Sequence, residues 1–423
     1  MSELLIKDVI EPSGKQVELA VKDGVFVQPS SLSSKAQVIE GNGEFVAPGL
    51  VDLHTHLREP GKEDAETVLS GSQAAIAGGY TAISAMPNTA PVADTAGVVE
   101  QVFRLGKFHS LCDVFPIGAV TVGQAGSQLS EMRAMNQSEA KVRIFSDDGH
   151  CVFDSLVMRR ALEYVKSFDG IIAQHAQDPR LTMDAQMNEG EISARLGLKG
   201  WPAAAEESII ARDILLADHV GSRLHVCHVT TKGGVALIRW AKSRGIQVTA
   251  EVTPHHLILT DDLAASYDPV YKVNPPLRTQ SDVMALREGV ADGTIDIIAT
   301  DHAPHSAESK DCEWQAAAFG MTGLETALSV AYQALVESKI LTWRALVDRM
   351  SVTPARIGEY GNHGQIELGK PANFFTFDPK ARWKVSAEGM KSKSANSPFI
   401  GSELPGRVTR TFFNGRLVHE VIQ

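Results

Sequence analysis

Histidines and aspartates recur in this chain where apolar runs stop. His54 and His56 close VDLHTH, Asp147 and Asp148 follow VRIFS, and His175 ends IIAQH; His225 and His228 sit in LHVCHV, and Asp301 and His302 follow IDIIAT. Imidazole nitrogens and carboxylate oxygens are ligands for zinc and similar divalent ions, and such an ion lowers the pKa of water from about 15.7 to about 7. That shift stabilises hydroxide by roughly 12 kcal/mol, more than any one side-chain base supplies. Singly, each residue also has a plainer role. An H-x-H after an apolar run is commonly incidental, His175 alone suits a hydrogen-bonded core histidine, Asp147-Asp148-Gly149 suits a turn, and Asp301 suits a helix cap. Polar residues without a shared task have no reason to recur at the same end of successive buried runs, and this recurrence favours a metal centre.

The elements that would position them repeat from residue 45 onward: a short β-rich run, a polar loop, then a helical stretch. There are eight such runs, FVAPGLVDLH, TAISAM, CDVFPIGAV, KVRIFS, GIIAQH, RLHVCHV, IQVTAEV and IDIIAT, with amphipathic stretches such as SLVMRRALEYVKS and AAAEESIIARDILLAD between them. Eight alternations of strand and helix predict an α/β fold, a (β/α)8 TIM barrel, over residues 49–364. The flanks, 1–48 and 365–423, read as short strands joined by Gly, Pro and Lys-Asp-Gly turns. Strands at the two chain ends would leave unpaired edges if separate, so together they predict one composite β-sandwich domain.

Active groups of a TIM barrel sit at the C-terminal ends of its strands, so the polar run ends would converge on one mouth. Residues two apart on a strand share a face, so His54 and His56 can both point inward. By the same rule His225 and His228 face opposite ways, and only one can be an inward ligand. Adjacent His255 and His256 in TPHHL also diverge, so at most one faces the site. His109, His150, His219, His363 and His419 fall outside the run ends and are expected to be structural or solvated.

Composition narrows the classes. The chain of 423 residues is 43% hydrophobic and 22% charged, as expected of a globular protein with a full core. A net charge of −11 argues against nucleic acid. Glu3, Lys7 and Asp8 interrupt the apolar N-terminus, no later run approaches a membrane span, and a cytoplasmic location is expected. The four cysteines, Cys112, Cys151, Cys227 and Cys312, form no C-x-x-C pair and are expected to pack rather than react.

Several segments resemble the dihydroorotase family of the amidohydrolase superfamily, in the class with its own small β domain. They are DLHTHLREPG (52–61), AMPNTAP (85–91), FSDDG (145–149), QHAQD (174–178), HVCHVTT (225–231), EVTPHHL (251–257), KVNPPLR (272–278) and ATDHAPH (299–305). They span the barrel in order. The resemblance implies two zinc ions per subunit: His54, His56 and Asp301 on one, His175 and His228 on the other, with Asp148 and a hydroxide bridging them. Relatives that bridge their metals with a carboxylated lysine make Lys141 a rival, but Lys141 lies early in its strand, and Asp148 is the better placed. The resemblance further implies that Arg58, Asn88 and His305 clamp a substrate carboxylate, that His56 also contacts substrate, that Asn274 meets the ring, and that Phe319 and Gly320 offer backbone contacts from a loop over the site. The segment that usually reads H-C-E-D is His175-Ala176-Gln177-Asp178, which leaves the surroundings of His175 open.

The implied reaction is the reversible hydrolysis of L-dihydroorotate to N-carbamoyl-L-aspartate in pyrimidine biosynthesis. The bridging hydroxide would attack the ring carbonyl, and Asp301 would carry the proton to the departing nitrogen. The expected partner is this small molecule, with neither nucleic acid nor membrane; homo-oligomers and association with aspartate transcarbamoylase are also compatible with the family. Three other readings compete: a hydantoinase or allantoinase, an inactive scaffold for the transcarbamoylase, and a cysteine nucleophile at Cys227. A scaffold typically loses metal ligands, yet all six positions are filled here.

Overall fold

The computed structural model describes residues 3–421. Eight parallel strands run Leu50–Thr55, Tyr80–Ala85, Asp113–Pro116, Ile144–Phe145, Ile171–Gln174, Arg223–Val226, Val248–Val252 and Ile297–Ile298. Single parallel bridges, Gly118 to Phe145 and Thr55 to His302, join the third strand to the fourth and the eighth to the first, so the ring closes. A helix follows each strand, and its apolar spacing explains why it packs outside: Ser155–Lys166 buries Met158, Ala161, Leu162 and Val165, one stripe at helical period. Helix starts are fixed by side chains accepting free backbone N–H groups, Thr67 from Ser70, Asp154 from Leu156 and Val157, and Thr279 from Asp282.

Alternation along the strands separates two apolar layers. Ile172, Leu224, Val226, Val248, Ala250 and Ile298 face the helices. Val51, Leu53, Ile144, Ile171, Ala173, Ile297 and Ala299 fill the barrel interior. Filled from below, the barrel leaves its C-terminal mouth to the clustered polar groups.

The terminal strands pair in one seven-stranded sheet, ordered Arg416–Glu420, Glu403–Phe413, Phe374–Lys384, Gln37–Pro48, Glu3–Ile10, Gln16–Lys22 and Val25–Val27. Phe374 and Phe412 stack at 4.4 Å on one side, in a core with Leu4, Ile6 and Val46. Phe375, Phe377 and Val408 pack into the barrel's outer layer. The chain passes from sheet to barrel at Gly49, where a Cβ would lie 2.1 Å from the Thr81 side chain, an approach that only glycine permits. Among the described residues no helix is long and apolar enough to cross a membrane. The four cysteines are unpaired.

Candidate metal centre

The first strand carries an extra residue between Asp52 and Thr55 relative to its neighbour. This bulge lets Leu53 stay in the apolar interior while His54 and His56 both turn toward the mouth. The Asp52 carboxylate holds the bulge by accepting from His54 N at 3.0 Å, and also takes Thr300 N, tying the first strand to the eighth.

Asp148 stands at the middle of the cluster. His54 Nε2 is 3.4 Å from its Oδ1 and His56 Nε2 is 3.3 Å from its Oδ2. His228 Nε2 and His175 Nδ1 approach Oδ1 at 3.2 and 3.4 Å. Asp301 Oδ1 lies 3.0 Å from His56 Nε2 and 3.5 Å from His54 Nε2. All six side chains are buried. Asp301 has φ +47° and His228 φ +29°, backbone states uncommon for such residues and held by the packed strand ends. Burial alone would push the Asp301 carboxyl up, but the imidazoles around it, His54 foremost, hold it at about 2.

The outer nitrogens of these rings are committed. His54 Nδ1–H donates to Glu251 Oε1 at 2.5 Å, His56 Nδ1–H to Asn88 Oδ1 at 2.9 Å, and His175 Nε2–H to Gln177 Oε1 at 2.6 Å. Their remaining nitrogens aim inward at the Asp148 and Asp301 carboxylates. His54 Nε2 is buried without a hydrogen-bond partner, and His175 Nδ1 meets His228 Nε2 at 2.9 Å. Imidazole nitrogens and carboxylate oxygens gathered in this way offer a compact set of nitrogen and oxygen donors, with the outer ring nitrogens already held by hydrogen bonds, so the residues present fit a divalent metal. Four ligand groups among the described residues, His54–His56–Asp148, His54–His228–Asp301, Asp148–His175–His228 and His54–Cys227–Glu251, each gather their ligand atoms within 4.8 Å.

The other candidate residues fall as follows. Arg58 lies in the loop beyond the strand with φ +63°, so a turn and not strand alternation brings it inward; it is buried, and its Nε donates to Pro304 O at 3.0 Å. Among the described residues no carboxylate pairs with its guanidinium. His305 donates from Nε2 to Phe319 O at 2.7 Å, and burial, followed by the charge of Arg58, pulls its pKa down to about 3. Gly320 N is bonded to Lys272 O. Asn274 donates to Gln177 Oε1 at 3.3 Å and leaves its buried Oδ1 unpartnered. Gln177, which stands where the family has a glutamate, thus joins His175 to Asn274. Lys141 is exposed and lines a separate cleft with Arg143, Glu359 and Tyr360, away from the cluster.

Strand parity misleads as to how His225 and His228 face, although only one of them joins the ligand cluster, as expected. His225 and His228 both turn inward, because the sixth strand ends at Val226 and the chain then changes direction. His225 is not among the clustered ligands; its Nε2–H donates to Glu251 Oε2 at 3.0 Å. Glu251 went unnoticed in the sequence, although a glutamate inside the otherwise apolar IQVTAEV run was the available signal. Of the adjacent histidines, His256 is tied to Thr253 and Pro275 O, and His255 Nε2 is buried without a partner. Asp147 is occupied, its carboxylate accepting from Val120 N, Thr121 N and the Thr121 hydroxyl. Burial pushes the Cys227 thiol up, which removes it as a nucleophile.

Known proteins match both sequence and fold. A family model described as dihydro-orotase-like matches residues 43–234. The chain is 60% identical over 420 residues to a dihydroorotase of Streptomyces coelicolor, covering 98% of both, and 52% identical over 408 residues to one of Mycobacterium tuberculosis, covering 96% of this chain and 95% of the relative. The solved L-hydantoinase (dihydropyrimidinase) of Arthrobacter aurescens superposes with a TM-score of 0.88 at 26% identity, covering 99% of this chain and 96% of that one. The dihydropyrimidinase of Brevibacillus agri, at 20% identity and a TM-score of 0.83 over 99% of this chain and 95% of its own, shares the fold. Identity this high over nearly the whole of both chains, joined to a barrel mouth built for a metal, means that the chain belongs to the dihydroorotase family.

Proposed function

We propose that this chain is a zinc-dependent dihydroorotase that catalyses the reversible hydrolysis of L-dihydroorotate to N-carbamoyl-L-aspartate, and that residues 49–364 form the catalytic barrel beside a composite domain of 1–48 and 365–423. The observation that carries the substrate reading is Arg58, a buried guanidinium beside the ligand cluster with no carboxylate paired to it among the described residues. A buried arginine without an anionic partner is a strained arrangement that a substrate carboxylate relieves through paired, charge-assisted hydrogen bonds. Burial already draws this guanidinium down to about 10. A hydantoin ring without a carboxylate would leave that charge unmatched.

In this reading His54, His56 and Asp301 would hold one zinc and His175 and His228 a second, with Asp148 available to either. Such ions supply a water made nucleophilic at neutral pH and a polarised ring carbonyl. The chain supplies the rest. Arg58 and His305 orient the ring through its carboxylate, and Asn274 offers its unpartnered Oδ1 to a ring N–H. Asp301 turns Oδ1 toward His54 and His56, leaving Oδ2 to accept the proton lost by the attacking water. As the new C–O bond forms and the ring C–N bond breaks, that proton passes from Asp301 to the departing ring nitrogen.

Asp301→Asn tests this assignment. An amide cannot carry the proton, and kcat is expected to fall by ~10²–10⁴-fold in enzyme that retains its metal. Near-normal kcat in a metal-loaded variant would remove Asp301 from the proton path.

A further inference from the structure

Residues 391–396, KSKSAN, belong to the C-terminal part of the chain, between the sheet strands Phe374–Lys384 and Glu403–Phe413, yet they bond to loops at the barrel mouth. Lys391 N and Ser392 N donate to the Glu325 carboxylate at 2.8 and 3.1 Å. The Ser392 hydroxyl and Lys393 N donate to Glu66, a fully buried carboxylate that also takes Nε2–H of His302, the residue after Asp301, at 3.2 Å. Ser394 Oγ donates to Ala65 O at 2.6 Å. The strap thus crosses from the loop after the first strand to that after the eighth.

Its last residue, Asn396, is buried and uses its side-chain oxygen and both N–H groups on one loop. Oδ1 accepts from His305 N at 3.1 Å, and Nδ2 donates to Ala303 O at 3.0 Å and to Gly320 O at 3.2 Å. The Asn396 carbonyl accepts from Thr322 N at 3.1 Å. These partners belong to both limbs of the 303–322 loop, so the amide adds three bonds to a pair of limbs already joined by Ala303 N to Met321 O at 2.8 Å and His305 Nε2 to Phe319 O at 2.7 Å. The fit is close. Gly320 has φ +145°, and a Cβ there would lie 2.7 Å from His305 Nε2. Arg58 joins the same limb through Pro304 O. A cavity of about 510 Å³ opens beside it, lined by Asp64, His305, Lys310 and Asn396 among others.

We propose that Asn396 is a positioning residue for the substrate carboxylate: by holding His305 and Gly320 at a fixed spacing beside Arg58, this residue of the C-terminal segment sets which cyclic amides the barrel accepts. The proposal rests on the dihydroorotase reading of the site. Loss of the amide loosens the two limbs around His305 and Gly320, and carboxylate binding then has to reorder them. The ligand cluster, held by other elements, keeps its geometry.

Full-length, metal-loaded protein carrying Asn396→Ala, Asn396→Asp or Ser394→Ala tests it. Asn396→Asp keeps the acceptor for His305 N but replaces both donors, and it serves if the alanine variant fails to fold. Ser394→Ala loosens the same strap without touching the 303–322 loop. Both Asn396 variants are expected to raise KM for dihydroorotate ~10-fold or more, with kcat within ~3-fold and metal content unchanged, while Ser394→Ala leaves KM within ~2-fold. Backbone amides of 303–322 should exchange with solvent ~10-fold faster in the Asn396 variants. Unchanged KM and unchanged exchange in those variants, or an equal KM rise in Ser394→Ala, would overturn the proposal. Unmodified protein that binds metal but fails to hydrolyse dihydroorotate would instead refute the functional reading, and the exchange rates would still decide whether Asn396 orders the loop.

Discussion

Glu251 accepts a 2.5 Å hydrogen bond from His54 Nδ1–H, and that one contact turns His54 Nε2 toward Asp148. The same carboxylate takes His225 Nε2–H on its other oxygen and His228 N at 3.3 Å, so one side chain of the seventh strand orients groups from the first and the sixth. A carboxylate behind an imidazole both fixes the tautomer and raises ligand basicity.

Replacing Glu251 with Gln keeps the size but removes the charge, and it allows an amide N–H to face His54 Nδ1. Metal affinity is expected to fall ~10–100-fold. Competition with a chromophoric chelator measures it, and an affinity equal to that of the unmodified chain would show that Glu251 has no such role.

Arg58→Lys keeps the charge but loses the planar fork and the Nε–H bond to Pro304 O. KM for dihydroorotate should rise ~10–100-fold with a smaller change in kcat, because the contact is made in the ground state and the transition state alike. Steady-state kinetics decide the matter. An unchanged KM would take Arg58 out of substrate binding.

Lys310 offers a pH test away from the metal. Its Nζ donates to Lys272 O at 2.7 Å and Ala318 O at 2.8 Å, and burial, then the charge of Lys272, draws the ammonium down to about 7. An unfolded lysine titrates near 10.4. Between pH ~7 and ~10 the unfolded chain therefore binds more protons, and this residue's contribution to stability rises with pH, at a limiting slope of about 1.4 kcal/mol per pH unit. Lys310→Met should flatten the rise in the urea midpoint between pH 7 and 9. Parallel midpoint curves for the two proteins would contradict the shift.

The barrel was legible because its strands are buried apolar runs and its polar residues collect at their ends; the eight runs expected are the eight strands found. The order of the terminal sheet was not legible, since strands from opposite chain ends carry no local signal of who pairs with whom. Within the site, His54, His56, Asp148, His175, His228 and Asp301 do come together. Parity failed for His225 because it assumes a strand that continues, and this one stops at Val226. Glu251 was hidden as one charge inside an apolar run. Asn396 was hidden more deeply, because its side-chain partners lie 76 to 93 residues away, and no periodicity in KSKSAN announces a contact with the barrel mouth.

The buried Arg58 guanidinium is expected to select a cyclic amide bearing a carboxylate. The direct measurement is kcat/KM of the metal-loaded chain on L-dihydroorotate and on unsubstituted hydantoin under one set of conditions. A site that must pair a buried charge rejects a substrate without the matching group by ~10⁴-fold or more, and that preference for dihydroorotate is expected here. Equal or faster turnover of hydantoin would contradict the account.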